Sequence, residues 1–227
     1  MDAKLAGPTD LAGFRSEARQ LLAHQVPPDE VSWDLQPGLI DAFRDAIPAT
    51  ASRPRNVARA STAIVPASFT RLCEFVVMHR DTHRFSLLYR LLWRLVHEPD
   101  LRNDPVDPDM LQAQHMAHAV RRDIHKLKVN LRWQDVLDAN ATAWKMGSSE
   151  PAHHVVEAVA PWFAKRLPDT HWVLFTPDRC VRCVDDKLLY GPGMPAHKLP
   201  PVDALPDTWL EADAGLFTRK VVPSAIG

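Results

Sequence analysis

Arg121-Arg122-Asp-Ile-His125-Lys126-Leu-Lys128, continuing to Arg132, sets five Lys and Arg side chains within about three helical turns. Such a run suits a polyanion, because each phosphate it neutralises releases counterions. On duplex DNA, log K then falls by about 0.9 per contact with log salt. Most of the chain's cations are Arg, whose planar fork takes phosphate bidentately. Arg90, Arg94 and His97 fall together on one face of the preceding helical segment and are candidates for the same surface. Trp133 and Trp144 follow the basic run and are read as stacking partners for unpaired bases, worth about 1–3 kcal/mol each when exposed. Trp93, Trp162 and Phe163 are read as core.

Other chemistries find weaker support. Cys180-Val-Arg-Cys183 has no second Cys pair to complete a zinc site. In a strand, positions i and i+3 point to opposite faces. No helix follows to lower a thiol pKa, so these read as ordinary sheet cysteines. Of the 11 histidines, His115, His118 and His125 share a helix face, and His118 or His125 with nearby Asp123 could do acid/base work. His153 and His154 are adjacent, about 100° apart on a helix, and chelate one ion poorly. No nucleophile elbow, Walker loop, dinucleotide-binding glycine set or His-Glu-x-x-His run occurs. No catalytic residue, metal or cofactor is assigned.

The elements that must position the basic run come from hydrophobic period. Phe14, Ala18, Leu21 and Leu22 mark a helix in 8–26, opened by Thr9 or Asp10 and ended by Pro27-Pro28. Residues 34–66 read as loop or short helix, with a mobile basic stretch at 50–62. Ser68 is expected to cap a helix carrying Phe69, Leu72, Cys73, Val76 and Val77; Thr82 is expected to cap the next, Phe85 to Val96. An acidic loop, 98–109, leads to a third helix over about 110–128, with Met116, Val120, Ile124 and Leu127 inward. Alternation from Val129 to Trp133 predicts a strand, with Ala141 to Met146 as hairpin partner. A helix after Pro151 should kink or split at Pro161. His171 to Thr176, Arg179 to Val184 and Lys187 to Tyr190 read as strands, the last two joined by Asp185-Asp186.

Helices first and strands after predict an α+β fold: a helical half, then a small, mostly antiparallel sheet with one helix inserted. A single domain over 1–195 is expected, helical over 8–128 and sheet over 129–195, with a Pro-rich acidic tail at 196–227. The net charge of −1 speaks against a generic basic coat, but the charge is segregated. Residues 51–132 hold 14 Lys and Arg against 8 Asp and Glu, and the rest of the chain 13 against 20. Three Cys exclude a disulfide scaffold, no run is long and apolar enough to span a membrane, and no signal peptide is visible, so a cytoplasmic setting is expected.

Phe85-Ser-Leu-Leu-Tyr-Arg-Leu-Leu-Trp-Arg-Leu, Ala119-Val-Arg-Arg-Asp-Ile-His-Lys, Trp162-Phe-Ala-Lys-Arg-Leu and Phe175-Thr-Pro, in that order, resemble an uncharacterised bacterial domain. That domain is found fused ahead of UdgX-like uracil-DNA glycosylases, and alone as a DNA metabolism protein linked to a radical SAM enzyme. Pro8-Thr-Asp-Leu-Ala-Gly-Phe and Pro27-Pro-Asp-Glu-Val-Ser-Trp33 resemble the fused form, and the likeness covers about residues 8–195. The chain departs from it at Leu127-Lys-Val-Asn-Leu-Arg-Trp133, at Ala143-Trp-Lys-Met-Gly-Ser-Ser-Glu-Pro151 and after Trp209, where the tail is truncated relative to the family. The resemblance implies association with DNA repair and no known catalytic residues.

Three readings follow. The leading one is a noncatalytic nucleic-acid-binding or adaptor module of DNA repair, meeting single-stranded or damaged duplex DNA through Arg90, Arg94, Arg121, Arg122, His125, Lys126, Lys128 and Arg132. The second is a protein partner of a DNA-repair enzyme. The third is a nucleic-acid or nucleotide-processing enzyme with a His/Arg cluster.

Overall fold

The computed structural model describes residues 1–35, 65–137 and 143–194. The basic stretch at 50–62 and the tail at 196–227 lie outside these residues, as does nearly all of the irregular region from 34 to 66. The class is α+β, as the order of helices and strands predicts. The described chain divides into two compact units. The first runs to Asp123 and includes Ala152–His154; the second takes Ile124–Pro151 and the chain from Val155.

The first unit is built around α3 (Arg84–His97), whose Phe85, Leu88, Tyr89, Leu91, Leu92 and Leu95 are all buried. Against it pack α1 (Leu11–Ala23) and α2 (Ala67–Val76). The Asp10 carboxylate caps α1, its Oδ1 accepting from the Gly13 amide at 2.8 Å. The expected caps of the next two helices are displaced. Pro66, not Ser68, precedes α2, and its fixed φ suits that place. His83, not Thr82, precedes α3, and Asp81 Oδ1 accepts the His83 amide at 2.8 Å. Two short strands absent from the sequence reading, β1 (Asp2–Leu5) and β2 (Ser32–Leu35), pair in parallel. They carry Trp33 into a cluster with Phe14 (5.2 Å between centroids) and Phe85 (6.0 Å).

Helix α4 (Pro108–Asn130) is longer than its apolar pattern predicts. Asp107 caps its start, Oδ1 accepting from the Met110 amide at 2.9 Å. Its end carries Val129 and Asn130, which alternation had assigned to a strand; two residues later the chain turns extended. Val129 and Asn130 are both exposed at the end of the helix, and β3 begins at Trp133.

The second unit is a five-stranded sheet in the order β3-β4-β5-β6-β7. Its strands are β3 (Trp133–Leu137), β4 (Ala143–Ser148), β5 (His171–Phe175), β6 (Arg179–Val184) and β7 (Lys187–Pro192). All neighbours are antiparallel except β4 and β5, which α5 (Val156–Arg166) joins as a crossover. Pro161 neither ends nor splits α5; it sits exposed within one helix. Trp133 lies opposite Gly147, where a Cβ would come within 3.1 Å of the indole, so the missing side chain makes room for the ring. Asp185 and Asp186 have φ of 48° and 60°, the left-handed pair that a two-residue hairpin between β6 and β7 requires. Among the described residues no helix is long and apolar enough to cross a membrane.

Candidate functional site

Arg90 and Arg94 face carboxylates. Arg90 donates to Asp109 through Nε (2.9 Å) and Nη2 (2.6 Å) in a bidentate fork. Arg94 reaches Asp107 Oδ2 at 2.8 Å, Asp109 Oδ2 at 3.2 Å and Glu98 Oε2 at 3.1 Å. The Arg90 hydrogen bonds hold the Asp109 carboxyl below its ordinary value. For Asp107, burial pushes upward, but the Arg94 hydrogen bond, the Met110 amide and the Arg94 charge together outweigh it. These two arginines therefore secure the start of α4. Arg121 lies about 18 Å further along the same helix at 1.5 Å per residue. The structure does not bring Arg90 and Arg94 to the basic run.

At the far end of α4, Arg121, Arg122, His125 and Lys126 are exposed and Lys128 partly so; Arg132 is exposed just before β3. Helical spacing sets Arg121, His125 and Lys128 in one row and Arg122, Lys126 and Val129 in the next. Val129 is 65% exposed. Arg121 lies over the Phe75 ring at 4.2 Å, and Lys128 Nζ lies 5.2 Å from the centroid of Trp162. Lys128, in the last turn, also suits the carboxyl end of the helix dipole.

The aromatic assignments hold for Phe163, which is buried, and Trp93, which packs against the core, but reverse for Trp144 and Trp162. Trp144, expected to stack on bases, is buried; Trp133 is half-buried, edge-on to Phe163 (5.2 Å) and Trp172 (5.7 Å). Trp162, expected in the core, is 39% exposed. The signal was present in the helical phase of α5. Val156, Val159, Ala160 and Phe163 turn inward, whereas Ala158, Pro161, Trp162 and Lys165 share the outer face.

His115, His118 and His125 are exposed on α4, and Asp123 is engaged elsewhere: its Oδ2 accepts the His153 amide at 2.9 Å. Cys180 and Cys183 are buried on opposite faces of β6, and burial pushes both thiols up. Among the described residues no three His, Cys, Asp or Glu gather as a metal site would require.

The sequence reading missed a histidine pair. His79, in the turn between α2 and α3, stacks on His153 with 4.3 Å between ring centroids. The Asp81 amide donates to His79 Nδ1 (3.1 Å) and the Arg80 amide to His153 Nδ1 (3.3 Å). Burial lowers both imidazoles below 6.5; His153 adds to this at His79 against Asp81, and Arg80 adds to it at His153 against Asp123. Between that value and the lower native ones, the unfolded chain binds more protons than the folded one. Stability is therefore expected to fall as pH drops below 6.5 through this window. Urea midpoints across the range check this. His79→Asn and His153→Asn, which keep an acceptor near the Nδ1 position without titrating, should flatten the slope; an unchanged slope in both contradicts the assignment.

A family model described as a domain of unknown function (DUF4130) matches residues 82–214, more than half of the chain. No curated protein and no solved structure matches it.

Proposed function

The chain belongs to this family of domains of unknown function, and we propose that it is a noncatalytic nucleic-acid-binding module of DNA repair, meeting DNA through the end of α4. The observation that carries the reading is the exposed Trp162 indole beside Lys128, on the end of a helix that exposes His125 and Lys126 and, one turn earlier, Arg121 and Arg122. Cations grip phosphates, and an exposed indole stacks on a base that has left its partner. This combination favours single-stranded or damaged DNA over intact duplex. Arg90 and Arg94 have no part in the contact, because Asp107 and Asp109 occupy them. The likeness to a domain found with uracil-DNA glycosylases supports the repair setting.

The test is anisotropy with a labelled single strand at low salt. Arg122→Glu with Lys126→Glu, both exposed positions, should weaken binding at least about tenfold and flatten its salt dependence, with slope lost at about 0.7 per phosphate contact on single strands. Trp162→Ala should cost about 1–3 kcal/mol and cost less on intact duplex. Unchanged affinity in the double variant overturns the reading. Val129, apolar and 65% exposed beside the cations, favours a second reading: a docking face for an acidic surface on a repair enzyme. Wild-type protein with no DNA affinity at low salt, yet held by such an enzyme in a pull-down, would replace the first reading with the second.

A further inference from the structure

We propose that His79 and His153, with Arg80 beside them, form an oxyanion site that takes a phosphate group on the paired Nε2–H donors of the two rings. The argument starts from the amides. Arg80 N–H and Asp81 N–H, consecutive in the chain, each donate to an imidazole Nδ1, so each Nδ1 must present its lone pair. A neutral ring then carries its proton on Nε2. Both rings are held to one turn by Nδ1 and stack at 4.3 Å with 31° between planes, which leaves the Nε2–H groups at the ends distal to each side chain's own backbone. Among the described residues neither Nε2–H meets an acceptor.

Two N–H donors on stacked rings can be met by two oxygens of one phosphate. The surrounding charge is consistent with an anion. Arg80 Nε donates to the Ala152 carbonyl at 2.8 Å, which holds its positive charge next to the pair. Arg84 also acts on His79 as a positive neighbour. Two carboxylates oppose them and keep their charge: Asp123, which accepts the His153 amide (2.9 Å), and Asp81, which accepts the His83 amide (2.8 Å). A metal ion fits poorly, since the one lone pair of each neutral ring is already used. This site is independent of the α4 reading and survives its failure.

The test is nitrogen-edited NMR of the imidazole rings in the full chain at neutral pH, titrated first with inorganic phosphate and then with a thymidine tetranucleotide. Both rings should appear as the Nε2–H tautomer, and phosphate up to about 10 mM should shift both Nε2 signals saturably. His79→Asn and His153→Asn, which keep an acceptor for the backbone amide but lose the Nε2 donor, should each weaken the response at least about tenfold while melting as the native chain does. A response to phosphate alone identifies a free phosphate or monoester as the ligand; an equal response to the tetranucleotide identifies a phosphodiester. An Nδ1–H tautomer in either ring overturns the proposal, as does an absence of shift with both probes.

Discussion

Replacing Arg84 by Met is expected to remove about 3–5 kcal/mol of stability, a large part of what a domain of this size holds. The side chain is 1% exposed and spends its donors on main-chain carbonyls. Nε donates to Val77 (2.8 Å), Nη1 to Asp81 (2.8 Å) and Nη2 to Pro8 (2.6 Å), so one guanidinium closes the turn between α2 and α3 and pins the chain that enters α1. Burial pushes its pKa down to about 10, partly offset by Asp81, and it stays charged at neutral pH. Methionine fills much of the stem volume but takes the guanidinium donors from the Val77 and Pro8 carbonyls, each costing about 1–3 kcal/mol when it stays dry, and leaves Asp81 only the long bond from the Arg84 amide (3.4 Å). Lysine restores a charge but not the fork, and should recover only part of the loss. Urea unfolding at an unchanged m-value checks this; a loss below about 1 kcal/mol would show that water replaces the guanidinium without difficulty.

Arg94→Leu is expected to cost about 3–5 kcal/mol, because it strands a buried charge. Asp107 is 3% exposed, and Arg94 answers it at 2.8 Å. In the native protein the Asp107 carboxyl lies below its ordinary 3.8, so its contribution is present above that value and lost as pH falls through the lower native one. In the variant the sign reverses. Without Arg94, burial lifts the carboxyl above 3.8, the folded state prefers the proton, and stability should recover as pH drops from about 7 toward about 4. Arg94→Leu combined with Asp107→Asn should regain about 1–3 kcal/mol, since Asn keeps the acceptor that caps α4 and carries no charge. DNA affinity of the folded variant should match the native chain. A variant that keeps its stability but loses DNA binding would return Arg94 to the anion face.

Both variants sit where local pattern gave no warning. Arg84, Arg90 and Arg94 look alike in sequence, three cations on one helix. One is buried under carbonyls, one forks onto Asp109, and one neutralises Asp107. Asp107 and Asp109 were visible as an acidic loop, but their reach back to α3 depends on a chain reversal that spacing does not encode. Trp162 is different: its outward phase on α5 was legible, and its aromatic type outweighed the phase in the reading. β1 and β2 escaped notice because each is only four residues long, and 26 residues separate them.

Residue order alone was enough for the α+β class, the helices around Phe85 and Val120, the β6–β7 hairpin and the cationic end of α4. Each of these follows from periods of 3.6 or 2 and from turn residues, which act over a few neighbours. Which cations remain exposed, which tryptophan lies outside, and the meeting of His79 with His153 were settled only by the tertiary structure. Those outcomes depend on partners up to 76 residues apart in the chain, and no local period records a contact made by packing.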